Sequence, residues 1–143
     1  MKKAYYVFAL FVMSMTAINA TAQSAEKEII QAMDAAAAEW NSGNLDGYMQ
    51  LYDTAATMMM PEGRAGLQAI RGLYEKYYFE NGKSKQVLAY DTYQFTPLGP
   101  DYGLLTGRFI LKVNEKMKER TGTFSVILSR TNNGWKILHD HSG

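Results

Sequence analysis

The chain contains no cysteine. This excludes disulfides, thiolate chemistry and a lipid-modified N-terminal cysteine. It has only two histidines, His139 and His141. A closed zinc site wants four ligands and a catalytic one three, so neither a metal nor a cofactor is expected. Charge of neither sign dominates. The 15 basic and 14 acidic residues give a formal net charge of +1 with no basic patch or tail, and nucleic acid is not an expected partner. There is no glycine-rich phosphate loop, no serine-centred elbow and no HExxH motif, so nucleotide and hydrolase readings find no support. No repeat, linker or low-complexity segment interrupts the sequence. Its 143 residues suffice for one domain. An apolar content of 47% and a charged content of 20% are those of an ordinary globular protein.

The one long apolar run lies at the N-terminus. Lys2 and Lys3 form a basic start, Ala4 to Ile18 is apolar but for tyrosines and small hydroxyls, and Ala20-Thr21-Ala22 fits a small-x-small cleavage pattern. The run is short for a bilayer span of roughly 20 residues, which disfavours a retained anchor. Residues 1–22 are therefore expected to be a signal peptide and 23–143 the folded domain, secreted into a bacterial periplasm with no membrane association after cleavage. Loss of Lys2 and Lys3 leaves 13 basic against 14 acidic residues, a net charge of −1.

Ser24 is a plausible N-cap, with Glu26 and Glu28 in the first turn where the helix dipole favours negative charge. Ile29, Met33, Ala36, Ala37 and Trp40 recur at helical spacing, and Gly43 sits where a C′ glycine belongs. Asn44 can cap a short second helix carrying Leu45, Tyr48, Met49 and Tyr52, with Tyr48 and Tyr52 on one face. Ala56 to Met60 reads as a short strand closed by Pro61. Its Met58-Met59-Met60 run reads as flexible core filler, since no histidine or cysteine is near in sequence to make it a soft metal site. A third helix follows, with Leu67, Ile70, Leu73 or Tyr74, and Tyr77 on its buried side, ended by Asn81-Gly82.

From Lys85 the period changes to two. Val87, Ala89, Asp91, Tyr93 and Phe95 share one face of a strand. After the turn Pro97 to Asp101, the residues Gly103, Leu105, Gly107, Phe109, Leu111 and Val113 form an apolar face opposite Thr106, Arg108 and Lys112. Phe124, Val126 and Leu128 continue the core beyond a polar tip. Asn133-Gly134 predicts a type I′ hairpin, because both residues tolerate positive φ. In the last strand Trp135, Ile137, His139 and His141 then share one face, with Lys136, Leu138 and Asp140 on the other. Asp140 so placed would serve an interface or pair with Arg108 or Lys136. Helices first and strands after predict an α+β fold, with helices packed on one face of an antiparallel sheet. Glycines 103, 107 and 122 inside strands predict bulges or bends. A sheet bent there would curl around the helices and leave a conical cavity.

Trp40-Asn-Ser-Gly-Asn-Leu-Asp46 with Tyr48, Thr96-Pro-Leu-Gly-Pro-Asp101, Thr106-Gly-Arg108, Gly122-Thr-Phe-Ser125 and Gly134-Trp-Lys-Ile-Leu-His-Asp-His-Ser142 together resemble the SnoaL-like branch of the nuclear transport factor 2-like superfamily. The resemblance spans nearly all of the chain after residue 22. It implies a cone-shaped curved sheet wrapped around three N-terminal helices, an internal pocket, and a homodimer formed through the outer sheet face. The superfamily includes ketosteroid isomerase, polyketide cyclases, dehydratases and members that only bind or assemble, so fold alone does not give function.

The candidate catalytic residues are His139, His141 and Asp91. The two rings would rise about 7 Å apart on one strand face and could act as a base at the polar end of a pocket. The alternative is a hydrogen-bonded or solvated pair near the chain end. Asp91 stands among apolar neighbours, where a carboxylate is costly unless paired. With Tyr48 or Tyr52 it would supply the carboxyl and hydroxyl parts that the ketosteroid isomerase pattern uses, although the chain does not match that enzyme's catalytic positions residue by residue. A single bulge would instead turn Asp91 outward. The candidate ligand-binding residues are Trp40, Tyr48, Tyr52, Tyr74 and Trp135, aromatic groups whose polar tips could face a pocket. Arg108 reads as an outer-face residue. Three functions remain open: a secreted pocket protein binding a small apolar or aromatic molecule, an isomerase-, cyclase- or dehydratase-type enzyme moving a proton next to a carbonyl, and an assembly module.

Overall fold

A computed structural model describes the backbone from Lys2 to Gly143 and the side chains from Thr21 onward. But for Thr21 and Ala22, the expected signal peptide lies outside the described side chains. Helix α1 (Lys2–Ser42) buries Ala25, Ile29, Met33, Ala36, Ala37 and Trp40 along one stripe, the three-and-four spacing of an amphipathic helix. It runs through Ser24, so the expected N-cap is not one. The Ser24 hydroxyl instead donates to Glu28 one turn on, at 2.9 Å. The helix ends in a Schellman motif. The Asn44 N–H donates to the Glu39 carbonyl, the Gly43 N–H donates to the Trp40 carbonyl, and Gly43 takes φ 85°.

Asn44 caps α2 (Leu45–Met49), its side-chain oxygen accepting from the Gly47 N–H at 3.0 Å. This helix is shorter than expected. Tyr52 has left it and opens β1 (Tyr52–Met60), which turns back through β2 (Gly63–Gly66) into α3 (Leu67–Tyr78). On α3, Ile70 is fully buried while Tyr74 and Tyr78 pack against the core. The stripe therefore runs 70-74-78, and Tyr77, expected inside, is 56% exposed. Asn81 and Gly82, both at positive φ, close a two-strand ribbon of β3 (Phe79–Glu80) and β4 (Lys83–Ser84).

The remaining strands are β5 (Leu88–Pro97), β6 (Tyr102–Leu111), β7 (Arg120–Thr131) and β8 (Gly134–Ser142). They form an antiparallel meander in a six-stranded sheet of order β2-β1-β8-β7-β6-β5. The β1–β8 contact is parallel, so the sheet is mixed at that one junction. The sheet curls around the helices, which lie on its inner face. The fold is the α+β cone expected.

Two bulges set which side chains reach the inside. In β5 the register shifts between Asp91 and Gln94, and Thr92 adopts φ 54°. Beyond it Tyr93 and Phe95 face the core as expected. Before it the alternation is reversed: Leu88 is buried, Tyr90 packs inward, and Val87 is 48% exposed. In β8 Leu128 pairs with Ile137 but Ile127 with His139, which leaves Leu138 as the extra residue. Trp135 and Ile137 point in, and after the bulge it is Asp140 that points in, 4% exposed beside Val126. His139 and His141 pair with Ile127 and Ser125 on the outer face. The predicted faces of both half-strands are corrected for the same reason: one extra residue inverts a period of two.

Gly103 and Gly122 do not mark bulges, because β6 and β7 pair without a break, whereas Gly107 lies opposite the β5 bulge, between the partners of Asp91 and Gln94. Each lies under a phenyl ring. A Cβ on Gly107 would sit 2.7 Å from Phe124, one on Gly122 2.5 Å from Phe109, and one on Gly103 against Phe95. The last hairpin also differs from expectation. Gly134 alone has positive φ (89°), pairing with Thr131 across Asn132-Asn133, so the turn is not type I′. Val113, expected on the inner face of β6, lies past its end and is 65% exposed.

Candidate functional site

The cone encloses a cavity of about 290 Å³. Its walls come from α1 (Met33, Trp40), the end of β1 (Met58 to Met60), α3 (Leu73, Tyr74, Tyr78) and the inner face of the sheet (Leu88, Tyr90, Phe109, Leu111, Phe124, Val126, Ile137). The methionine run is thus core at Met58 and flexible wall at Met59 and Met60.

Polar groups enter this apolar space at three points, the third being the Arg120 guanidinium beside Tyr78. At the first, the Tyr52 hydroxyl donates to Asp140 Oδ2 at 2.7 Å and stands 2.7 Å from the Tyr74 hydroxyl. Ser142 donates to Asp140 Oδ1, also at 2.7 Å. Because Tyr52 uses its proton on the carboxylate, Tyr74 must donate to Tyr52. Burial pushes the Asp140 carboxyl above the usual carboxylate range, with the Tyr52 and Ser142 hydrogen bonds opposing that rise. At the second point, the Tyr48 and Tyr90 hydroxyls meet at 3.2 Å. Two O–H groups share one contact there, and a hydrogen bond from Tyr48 to Tyr74 takes up the remaining donor and joins the two points in one network. Burial holds Tyr48, Tyr52, Tyr74 and Tyr90 far above the normal tyrosine value, and all four remain neutral donors at physiological pH.

Of the residues singled out from sequence, Trp40, Tyr48, Tyr52 and Tyr74 line this cavity. Trp40 is also a packing hub, with the rings of Tyr48, Tyr74, Tyr78 and Phe79 centred 4.9–5.7 Å away. Its indole N–H is taken by the Gln86 carbonyl at 3.1 Å. Trp135 lies outside the cavity lining. It packs beside α1, donates to Glu28 at 3.2 Å and carries the Arg130 guanidinium 4.7 Å from its ring centre. His139 and His141 are not brought into the cavity. The Thr57 hydroxyl lies 2.8 Å from His139 Nδ1, and His141 is exposed. Asp91 is placed on the outer face, gripped at both oxygens by Arg108 at 2.9 and 2.6 Å, which lowers its pKa. The residues that sequence reasoning missed are Asp140, Tyr90 and Ser142. The bulges that turn Asp140 and Tyr90 inward leave no signal in a single sequence.

Among the described residues, no group of three or more histidine or acidic side chains is placed to hold a metal ion, and no helix is long and apolar enough to cross a membrane.

A family model described as the SnoaL-like domain matches residues 29–142. No curated protein matches the chain. Among solved structures, the chain is similar to a nuclear transport factor 2-like protein of unknown function from Shewanella oneidensis. The identity is 26%, coverage is 81% of this chain and 96% of that one, and the TM-score is 0.70. It is also similar to the association domain of CaMKII from C. elegans (16% identity, 85% and 97% coverage, TM-score 0.69). A candidate scytalone dehydratase from Novosphingobium aromaticivorans shares the fold as well (10% identity, 87% and 86% coverage, TM-score 0.70). With the family match covering all but the N-terminal segment, and the same cone in its structural neighbours, the chain belongs to the SnoaL-like branch of the nuclear transport factor 2-like superfamily.

Proposed function

We propose that this protein binds a small, largely apolar or aromatic molecule. The observation that carries this reading is the build of the cavity wall. The walls are apolar and aromatic, and the Tyr90, Tyr48, Tyr74 and Tyr52 hydroxyls and the Asp140 carboxyl hydrogen-bond among themselves, which leaves the wall facing a guest mostly apolar. Ligand sites elsewhere share this build of apolar walls with a few placed polar groups. The test is fluorescence titration with N-phenyl-1-naphthylamine, a neutral aromatic probe. Saturable binding at one site per chain is expected, and it should be abolished by Met58→Trp, which fills the cavity. Absence of saturable binding to the folded wild type would contradict the proposal.

The Asp140 arrangement favours a second reading, proton transfer next to a carbonyl. A buried carboxyl with a raised pKa lies nearer to the working range of a general base than an exposed one does. The candidate dehydratase among the fold neighbours is compatible with this reading. Deuterium incorporation from heavy water into a bound aromatic ketone would reveal it. Asp140→Asn should then slow exchange by about 10²–10⁴-fold, whereas no exchange above background leaves binding as the function.

We also place a homodimer on the outer sheet face, where Thr121, Thr123 and Ser125 surround Ile127. A sedimenting dimer split by Ser125→Arg supports this, and a wild-type monomer contradicts it. The expected route is export to the periplasm after cleavage behind Ala22. N-terminal sequencing of protein from the periplasmic fraction checks it, with Gln23 first if the proposal holds.

A further inference from the structure

A second cavity of about 270 Å³ adjoins the first, and the two share Trp40, Tyr78, Leu111 and Arg120 as common wall. Its chemistry is different. Lys85 and Arg120 line it, and among the described residues no aspartate or glutamate does. Neither cation has a carboxylate partner among the described residues. The described ion pairs are Arg71–Asp46, Arg108–Asp91 and Arg130–Glu28. Arg120 makes one 3.3 Å hydrogen bond to the neutral Tyr78 hydroxyl and lies 6.0 Å from that ring's centre.

Both cations hang from fixed backbone. The Lys85 N–H donates to the Tyr78 carbonyl at 2.8 Å, and the Lys85 carbonyl accepts from Asn114 at 2.8 Å. Arg120 pairs with Leu111 in the sheet. The Gln86 side-chain amide donates to the carbonyls of Leu111, Lys112 and Lys118, and the Gln86 backbone carbonyl takes the Trp40 indole. The charged donors lining this cavity are therefore the two cations.

We propose that the ligand is an amphipathic organic acid, with its apolar body in the first cavity and its anionic head held between Lys85 and Arg120 in the second. The inference rests on the pocket reading above and adds the ligand's charge. A guanidinium facing an oxyanion forms hydrogen bonds stronger than neutral ones. The Tyr78 contact is neutral and gives way to such a head at little cost. Because Arg120 is exposed, the attraction should weaken as salt is raised.

The test compares two probes that differ by one group. 8-Anilino-1-naphthalenesulfonate is N-phenyl-1-naphthylamine plus a sulfonate. The wild type should bind the anion on the order of tenfold tighter than the neutral probe, and less so at high salt. Lys85→Gln, outside the lining of the first cavity, should weaken that preference while leaving the neutral probe's affinity unchanged. Lys85→Gln/Arg120→Gln should remove the preference, and Arg120→Lys should retain part of it. Far-ultraviolet circular dichroism checks that each variant is folded, and the Lys85→Gln single variant serves if the double one is not. Equal binding of both probes, or a preference that survives in the double variant or is not weakened in Lys85→Gln, overturns the acid assignment and leaves the pocket reading standing. If the folded wild type binds neither probe, both fall.

Discussion

Asp140 pays for its position with a desolvated charge, and that gives the protein a pH dependence whose sign can be worked out. Its pKa is raised on folding, so the folded state binds the proton more tightly than the unfolded chain. The group's contribution to stability is therefore largest in acid, below its unfolded value, and declines as pH rises through the raised folded value. Asp140→Asn is neutral throughout. Its amide oxygen can accept from Tyr52 and its NH₂ can donate to Ser142. The melting temperature of wild type relative to Asp140→Asn should therefore increase as pH is lowered from neutral, and a difference that stays flat or reverses contradicts the burial. Tyr52→Phe removes the donor to a buried carboxylate and should lower stability by about 1–3 kcal/mol in chemical denaturation. Asp91 and the two histidines differ. They lie on the outer face, so Asp91→Asn and His139→Ala/His141→Ala should leave neutral-probe binding in the cavity unchanged.

At the scale of elements, the presence of the helices was legible, but some helix ends and faces and the strand faces were so only in part: Ser24 is no cap, Tyr52 lies in β1 and Tyr77 is exposed. The stripe on α1, the Gly43 stop and the Asn44 cap follow from local rules of spacing and capping, which act within one or two turns. The apolar rows Leu105–Phe109–Leu111 and Phe124–Val126–Leu128 also fell where alternation put them. Alternation failed at Thr92 and Leu138. A bulge there is settled by neighbouring strands, and its cost is not written in the residues around it. In β8 this exchanged the histidines for Asp140, and with them the chemistry of the site. Of the three strand glycines, Gly107 faces a bulge and Gly103 and Gly122 do not. All three give room to phenyl rings, which depends on tertiary contact rather than local bending. Gly107→Ala would drive Phe124 towards the cavity. It should cost about 1–3 kcal/mol by overpacking and weaken neutral-probe binding, both readable by denaturation and titration.

At the scale of the whole molecule, a curled sheet closed by three helices leaves an apolar space that the chain's own side chains do not fill, with its few polar groups at defined points on the wall. The cone itself is common to proteins as different as an association domain and a candidate dehydratase. The assignment of a ligand-binding role therefore rests on the wall and not on the fold. The most direct test is native mass spectrometry of the protein purified from its own cells, recorded before and after denaturation. The account predicts a small organic molecule that leaves on denaturation, is displaced by N-phenyl-1-naphthylamine, and is absent from Met58→Trp. A bare chain in the folded state that also takes up no probe would contradict it.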